Sequence, residues 1–171
     1  YLPKEKDIYG FEKKKLIRLD KKDRILCAKF RKGHFEGVID VMTRLTEIIK
    51  PSKIFMGEKD FQQLLLVKKY IENNFRSKII SCKTIRDKNK LALSSRNLLL
   101  NKKDLIKAGK ISKNLIYFKK KMLNKKKIDK LVLIKKKELE ELYNISFEYF
   151  EIRNKKNLEI SKDFNNSKLF I

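Results

Sequence analysis

An apolar run ends at Gly57 and opens directly onto Glu58, Lys59 and Asp60, then, after Phe61, onto the paired amides Gln62 and Gln63. A glycine at such a junction lets the backbone approach a ligand closely or take up a special dihedral. Lys59 suits a phosphate, because a flexible ammonium follows charge that moves during a reaction. Asp60 can accept a hydrogen bond from a sugar hydroxyl or cap a helix. Gln63 stands at i+4 from Lys59, which on one continuous helix puts both on the same face, where the amide can donate to a carboxylate or an alcohol. A helix start also carries Glu and Asp for capping and dipole reasons alone, so both readings of this stretch stand. The second cluster, Ser94-Ser95-Arg96, joins hydroxyls to a planar, many-donor cation. That set suits phosphate or pyrophosphate, with the N–H groups of a following helix start as further donors, and it is also the make-up of an ordinary polar turn. The third cluster is Arg31-Lys32-Gly33-His34-Phe35. His34 is the only histidine, so no histidine pair can hold a metal, and a structural histidine near a helix start is the plainer reading. No GxSxG elbow accompanies the serines, which argues against a hydrolase.

These clusters need elements to position them. Val38, Val41, Met42, Leu45, Ile48 and Ile49 recur at helical spacing, which predicts a helix over Glu36 to Ile49 with that face buried and Pro51 ending it. Lys53 to Met56 reads as a strand that closes at Gly57. Asp60 or a neighbour caps the next helix, carrying Phe61, Leu64, Leu65, Val67 and Ile71, and a second short strand follows at Lys78 to Cys82. Helix, strand, helix, strand at this spacing is an α/β unit, in which parallel strands are joined by a crossover helix. Such sheets bind ligands at the strand-to-helix joint. The character changes after Thr84. A polar turn leads through LALSSRN to helices over Lys102 to Lys120 and Ile128 to Leu142, and SFEYFEI with Leu158 to Ile160 predicts a small antiparallel sheet. The first thirty residues read as largely irregular.

With 42% apolar residues in 171, the chain is not wholesale disordered and can form one good core or two small domains. No run is long and apolar enough to span a membrane as a helix, and the first residues lack the features of a secretory signal. Cys27 and Cys82 have neither metal-ligand spacing nor a disulfide-rich setting, which makes them buried thiols in a reducing compartment. The net charge of +24 invites nucleic acid, but the lysines are spread over nearly every segment and aromatic residues do not interleave with them. Tyr1 in the place of a methionine and the closing apolar run NSKLFI lead to the expectation of further sequence on both sides.

The run RKGHFEGVIDVMTRLTEIIKPSKIFMGEKDFQQLLLVKKYIEN, followed by IRDKNKLALSSRNLLL, resembles the pantothenate synthetase family, the pantoate–β-alanine ligases. Weaker similarity continues to ISFEYFEIRNKKNLE. The resemblance implies an α/β fold, with residues 1–84 as part of a Rossmann-like, nucleotidyltransferase-type parallel-sheet domain for ATP and pantoate. Residues 85–171 would then be a smaller, lid-like α+β domain, cut short at its end. It implies condensation of pantoate with β-alanine through a pantoyl adenylate, with release of pyrophosphate and AMP. It further implies ATP with Mg2+ held mainly by phosphates and water, a homodimer built through the larger domain, a cytoplasmic location, and no nucleic-acid or membrane partner.

Carried onto this chain, Gly57, Glu58, Lys59 and Asp60 match the family's ATP-contacting stretch, with Lys59 toward the phosphates and Asp60 toward the ribose. Gln63 matches the glutamine that holds pantoate. Ile85 stands where backbone meets adenine, and Leu93, Ser94, Ser95 and Arg96 match the second ATP segment. Lys59 and Arg96 are thereby the catalytic candidates, and one cleft is expected to bring Gly57 and Ser94 to a common rim. Arg31 and His34 align with the RPGHF motif on the pantoate side. Lys32 replaces the usual proline, and Arg86-Asp87-Lys88-Asn89-Lys90 replaces a loop that commonly ends in glycine, so Asn89 is expected to take the left-handed position. The family's His-x-Gly-His motif and early glutamine have no counterpart. The chain is therefore expected to be a central and C-terminal portion, inactive by itself. The alternatives are a nucleotide-binding remnant without catalysis and a basic RNA-binding module.

Overall fold

Gly33 and Lys50 set the limits of the helix that leads into the first site. A computed structural model describes residues 2–10 and 17–171. Two short helices come first, α1 (Glu5–Tyr9) and α2 (Cys27–Phe30), in a region the pattern left irregular. Gly33, at φ +77, turns the chain into α3 (His34–Ile49), and Lys50, also left-handed, closes it ahead of Pro51 with its N–H on the Thr46 carbonyl. Glycine takes up such a dihedral freely, which accounts for its place in RKGHF.

The buried stripe of α3 differs from the expected one. It runs through Phe35, Ile39, Asp40, Thr43, Arg44 and Thr46, while Ile48 and Ile49 are 49% and 61% exposed. Val38 and Met42 do face a core. Periodicity locates a helix well, but several apolar faces compete once polar residues can be satisfied inside. Asp40 and Arg44 form a buried i,i+4 ion pair at 3.1 Å. The Arg44 guanidinium also stacks 5.0 Å over the Tyr9 ring and donates to the Tyr9 carbonyl at 3.4 Å, which fixes α1 to α3.

Strand β1 (Lys53–Gly57) is followed by a 3-10 turn (Glu58–Asp60), α4 (Phe61–Asn74) and β2 (Lys78–Cys82). The strands pair in parallel, Lys53 with Lys78 through Gly57 with Cys82, so α4 is the expected crossover helix. Leu64, Val67 and Ile71 of α4 pack with Ile79, while Leu66 joins Ala28, Phe35 and Ile39 in a second cluster.

The chain divides into two compact units, Tyr1–Lys83 and Thr84–Ile171. In the second unit, a 3-10 turn (Ser95–Leu99) leads to α5 (Lys102–Met122), α6 (Asp129–Tyr143), β3 (Glu151–Asn154) and β4 (Ser167–Phe170). The Asn101 side chain caps α5 by accepting from the Asp104 N–H. Phe118, Met122, Ile128, Val132, Leu139, Phe150, Ile152 and Phe164 form its core. The antiparallel sheet exists, but its second strand is Ser167–Phe170. Leu158 sits at φ +59 and so breaks an extended run, leaving Ile160 a single bridge to Arg153.

The thiols also depart from expectation, since Cys27 is half-buried and Cys82 exposed. A short strand that ends at the sheet margin has nothing to cover its last side chain.

Candidate functional site

The end of β1 is followed by a series of polar side chains, Glu58, Lys59, Asp60 and Gln63. Gly57 has an extended backbone, φ −73 and ψ 136, that any residue can adopt, so no special dihedral is required there. A Cβ at this position would meet nothing within 4 Å. The glycine is thus a matter of open space beside the backbone. Glu58 lies toward β2, with the Ser81 hydroxyl donating to it at 3.5 Å.

Asp60 precedes α4 with ψ 63, and its side chain makes no capping hydrogen bond. The capping role is therefore excluded, and the carboxylate, 64% exposed, pairs among the described residues with Lys59 Nζ at 3.7 Å. That backbone break also separates the 3-10 turn carrying Lys59 from α4, so the i+4 rule on one helical face does not link Lys59 to Gln63. Gln63 is half-buried in the first turn of α4, and its amide makes no hydrogen bond to a described residue.

Its neighbour Gln62 does a different job, unforeseen in the sequence reading. Buried at 5% exposure, it donates through Nε2 to the carbonyls of Asp23 and Ile25 at 3.2 and 2.7 Å, while Oε1 has no hydrogen-bond partner among the described residues. The signal was present, since Gln62 and Leu66 stand at i,i+4 on the buried face. Lys69 adds a second tie to the same segment, bridging Asp20 at 3.0 Å and Asp23 at 2.9 Å. The ammonium holds the Asp20 carboxyl below its ordinary range, chiefly by hydrogen bonding, and the two carboxylates raise Lys69, Asp23 most. Segment 20–26 leads directly into α2 and the Arg31–His34 turn. There Arg31 is exposed, its carbonyl accepts from the His34 N–H at 3.2 Å, and the His34 ring lies 5.0 Å from that of Phe35.

In the second unit Ile85 is 71% and Leu93 54% exposed. The two are joined through their backbones, Leu93 N–H to the Ile85 carbonyl at 3.0 Å. Ser94 caps the 3-10 turn by accepting from the Arg96 N–H at 3.2 Å, which engages one donor expected to face a ligand. No α-helix starts there; α5 begins at Lys102. Ser95 and Arg96 are exposed, and the Arg96 guanidinium pairs with no described residue. Among the described residues no cluster of three His, Cys, Asp or Glu could hold a metal, and no helix is long and apolar enough to cross a membrane. A groove of about 220 Å³ in the first unit runs along Asp20, Asp23, Lys69 and Tyr70, and Lys59 and Gln63 do not line it.

The family model for pantoate-beta-alanine ligase matches residues 1–171. The chain belongs to the pantoate-beta-alanine ligase family. A pantothenate synthetase from Flavobacterium psychrophilum is 36% identical over 172 residues, which covers 99% of this chain and 61% of the relative. One from Thermodesulfovibrio yellowstonii is 46% identical over 80 residues, 46% of this chain and 29% of that protein. Among solved structures, the pantothenate synthetase of Thermus thermophilus superimposes with a TM-score of 0.75 at 26% identity, over 94% of this chain and 59% of that one. The pantoate-beta-alanine ligase of Francisella tularensis, complexed with beta-gamma ATP and beta-alanine, gives 0.64 at 33% identity, over 86% of this chain and 53% of its own. This ligase-family chain thus spans about three fifths of the length of relatives that it matches almost throughout. Its fold class is theirs, mixed α/β with a parallel sheet.

Proposed function

We propose that the protein carrying this chain condenses pantoate with β-alanine at the expense of ATP. A pantoate carboxylate oxygen attacks the α-phosphorus, the bond from that phosphorus to pyrophosphate breaks, and a pantoyl adenylate results. The β-alanine amine then attacks the acyl carbon, and AMP leaves. The observation that carries this reading is the row at the end of β1. An exposed Lys59, an Asp60 that does not cap α4 and a Gln63 amide with no hydrogen bond to a described residue follow one another where a parallel sheet opens.

In this reading Lys59 is the phosphate contact of the first unit, and Ser94, Ser95 and Arg96 are the phosphate-contacting segment of the second. Asp60 accepts from the ribose, Gln63 donates to pantoate, Gly57 admits the nucleotide closely, and Ile85 and Leu93 flank the base. Arg31 and His34 support the pantoate side. Mg2+ enters on the phosphates, and the described residues supply no carboxylate cage of their own. The proposal includes a homodimer and a cytoplasmic location; sedimentation equilibrium checks the first and fractionation of cells the second.

Measuring the half-reactions separately tests it. Lys59→Ala slows adenylation by on the order of a hundredfold, about 3 kcal/mol, because the ammonium meets charge that develops in the transition state. Attack of β-alanine on supplied pantoyl adenylate is far less affected. Gln63→Ala chiefly weakens pantoate binding. Equal losses in both half-reactions for Lys59→Ala, or unchanged pantoate affinity for Gln63→Ala, would overturn these roles.

A further inference from the structure

The loop that precedes Ser94 is fastened to α5 by side chains that the proposed reaction does not use. Arg86 and Ala92 form an antiparallel bridge. The Asp87 N–H donates to the Leu91 carbonyl at 2.9 Å, so residues 85–93 make a small hairpin whose second arm runs straight into Ser94. At its tip Asp87 Oδ1 accepts from the N–H groups of Asn89 and Leu91 at 2.8 and 2.9 Å. Lys90 stands at φ +68, a dihedral that L side chains seldom adopt.

The carbonyl of that residue is where α5 takes hold. It accepts from Ser112 Oγ at 2.5 Å and from Arg86 Nη1 at 2.9 Å, and the same Nη1 donates to Ser112 Oγ at 3.2 Å. Ser112 is only 8% exposed, so its hydroxyl closes this triangle from the buried side, while Arg86 and Lys90 stand on the exposed side. At Gly109, one turn earlier, an added Cβ would stand 3.0 Å from the Asn89 Cβ, so the hairpin tip comes as near to α5 as a glycine permits. The other arm is held as well, since the Asn97 amide donates to the Ala92 carbonyl at 2.9 Å. Arg86 is thus an exposed cation tied at two points, in contrast to Arg96, whose guanidinium pairs with no described residue.

We propose that Ser112 is a positioning residue: through the Lys90 carbonyl and Arg86 it locks the 85–93 hairpin onto α5, so that Ser94, Ser95 and Arg96 meet phosphate in one fixed arrangement. The inference rests on the reading that this segment takes the phosphates of ATP.

Its test is Ser112→Ala in the protein that carries this chain. The expected result is a rise of about tenfold in the KM for ATP, the worth of a buried hydrogen bond, with the KM values for pantoate and β-alanine unchanged. Amide exchange at Leu91, Leu93 and Asn97 should accelerate alongside. A role in overall stability alone lowers the active fraction and leaves all three KM values in place. Adding Lys90→Gly to Ser112→Ala should recover most of the ATP affinity, because glycine holds a positive φ without help. If Ser112→Ala does not fold, Gly109→Ala leaves the hydroxyl in place, presses on Asn89 and should raise the ATP KM in the same way. An unchanged ATP KM in the variant that folds, with the parent active, overturns the positioning role. A parent without ATP-dependent ligation overturns the underlying reading instead.

Discussion

At Lys90 the backbone is left-handed, φ +68, where Asn89 was expected to take that role. Asn89 instead packs against Gly109, so the left-handed position of the turn falls on Lys90, and lysine carries the strain. Lys90→Gly should therefore raise the stability of the chain by about 1 kcal/mol, since the left-handed dihedral disfavours any Cβ by roughly that amount. The midpoint of urea unfolding reads this directly, and a fall in the midpoint would contradict it. The same scale separates Gln62 from Gln63. The i,i+4 spacing of Gln62 to Leu66 marks the amide that turns inward, but the break at Asp60, which uncouples Gln63 from Lys59, is disclosed only by the folded backbone.

Elements whose apolar residues have a single solution were readable. Strand Lys78–Cys82 and helix α4 stand where the pattern puts them, because Leu64, Val67 and Ile71 of the helix pack with Ile79 of the strand. Helix α3 was readable in extent, but not in orientation, since the Asp40–Arg44 pair takes inside positions that an apolar count assigns elsewhere. β4 escaped because the left-handed Leu158 diverts the nearer candidate run. The anchorage of segment 20–26 to α4 was invisible for another reason: its partners are far apart in sequence and ordinary in type. Its pH dependence follows from the two shifted groups. Asp20 is held below its ordinary value, so its contribution is full above the unfolded carboxylate range near 4 and fades as pH falls through the folded value. Lys69 is held above its ordinary value, so its share is full below about 10 and fades as pH rises through the folded value. The stability difference between the parent chain and Lys69→Met should consequently be level across neutral pH and shrink at both extremes. A difference that persists unchanged as pH falls well below about 4 would show that the ammonium contributes nothing through Asp20.

For the molecule as a whole, two forces oppose each other. The β1–β2 sheet leaves Phe55 67% exposed, and Ile48, Ile49 and Ile80 add further apolar surface. Against this stands a net charge of +24, which keeps copies apart at low ionic strength. Residues 1–171 prepared by themselves should therefore stay dispersed in dilute buffer and associate as salt screens the repulsion. Phe55→Ser should weaken that association. Sedimentation velocity at low and high salt measures both, and association that declines with salt would assign it to charge instead of apolar contact.

The parallel register that places Gly57 opposite Cys82 has one more use. It seats an exposed thiol alongside the glycine that borders the proposed nucleotide site, while the chain's other cysteine is half-buried in α2. On the proposed reading the alkylation rate of Cys82 should fall when ATP is added, with no turnover or engineered residue needed, and an unchanged rate would count against a nucleotide at the strand ends.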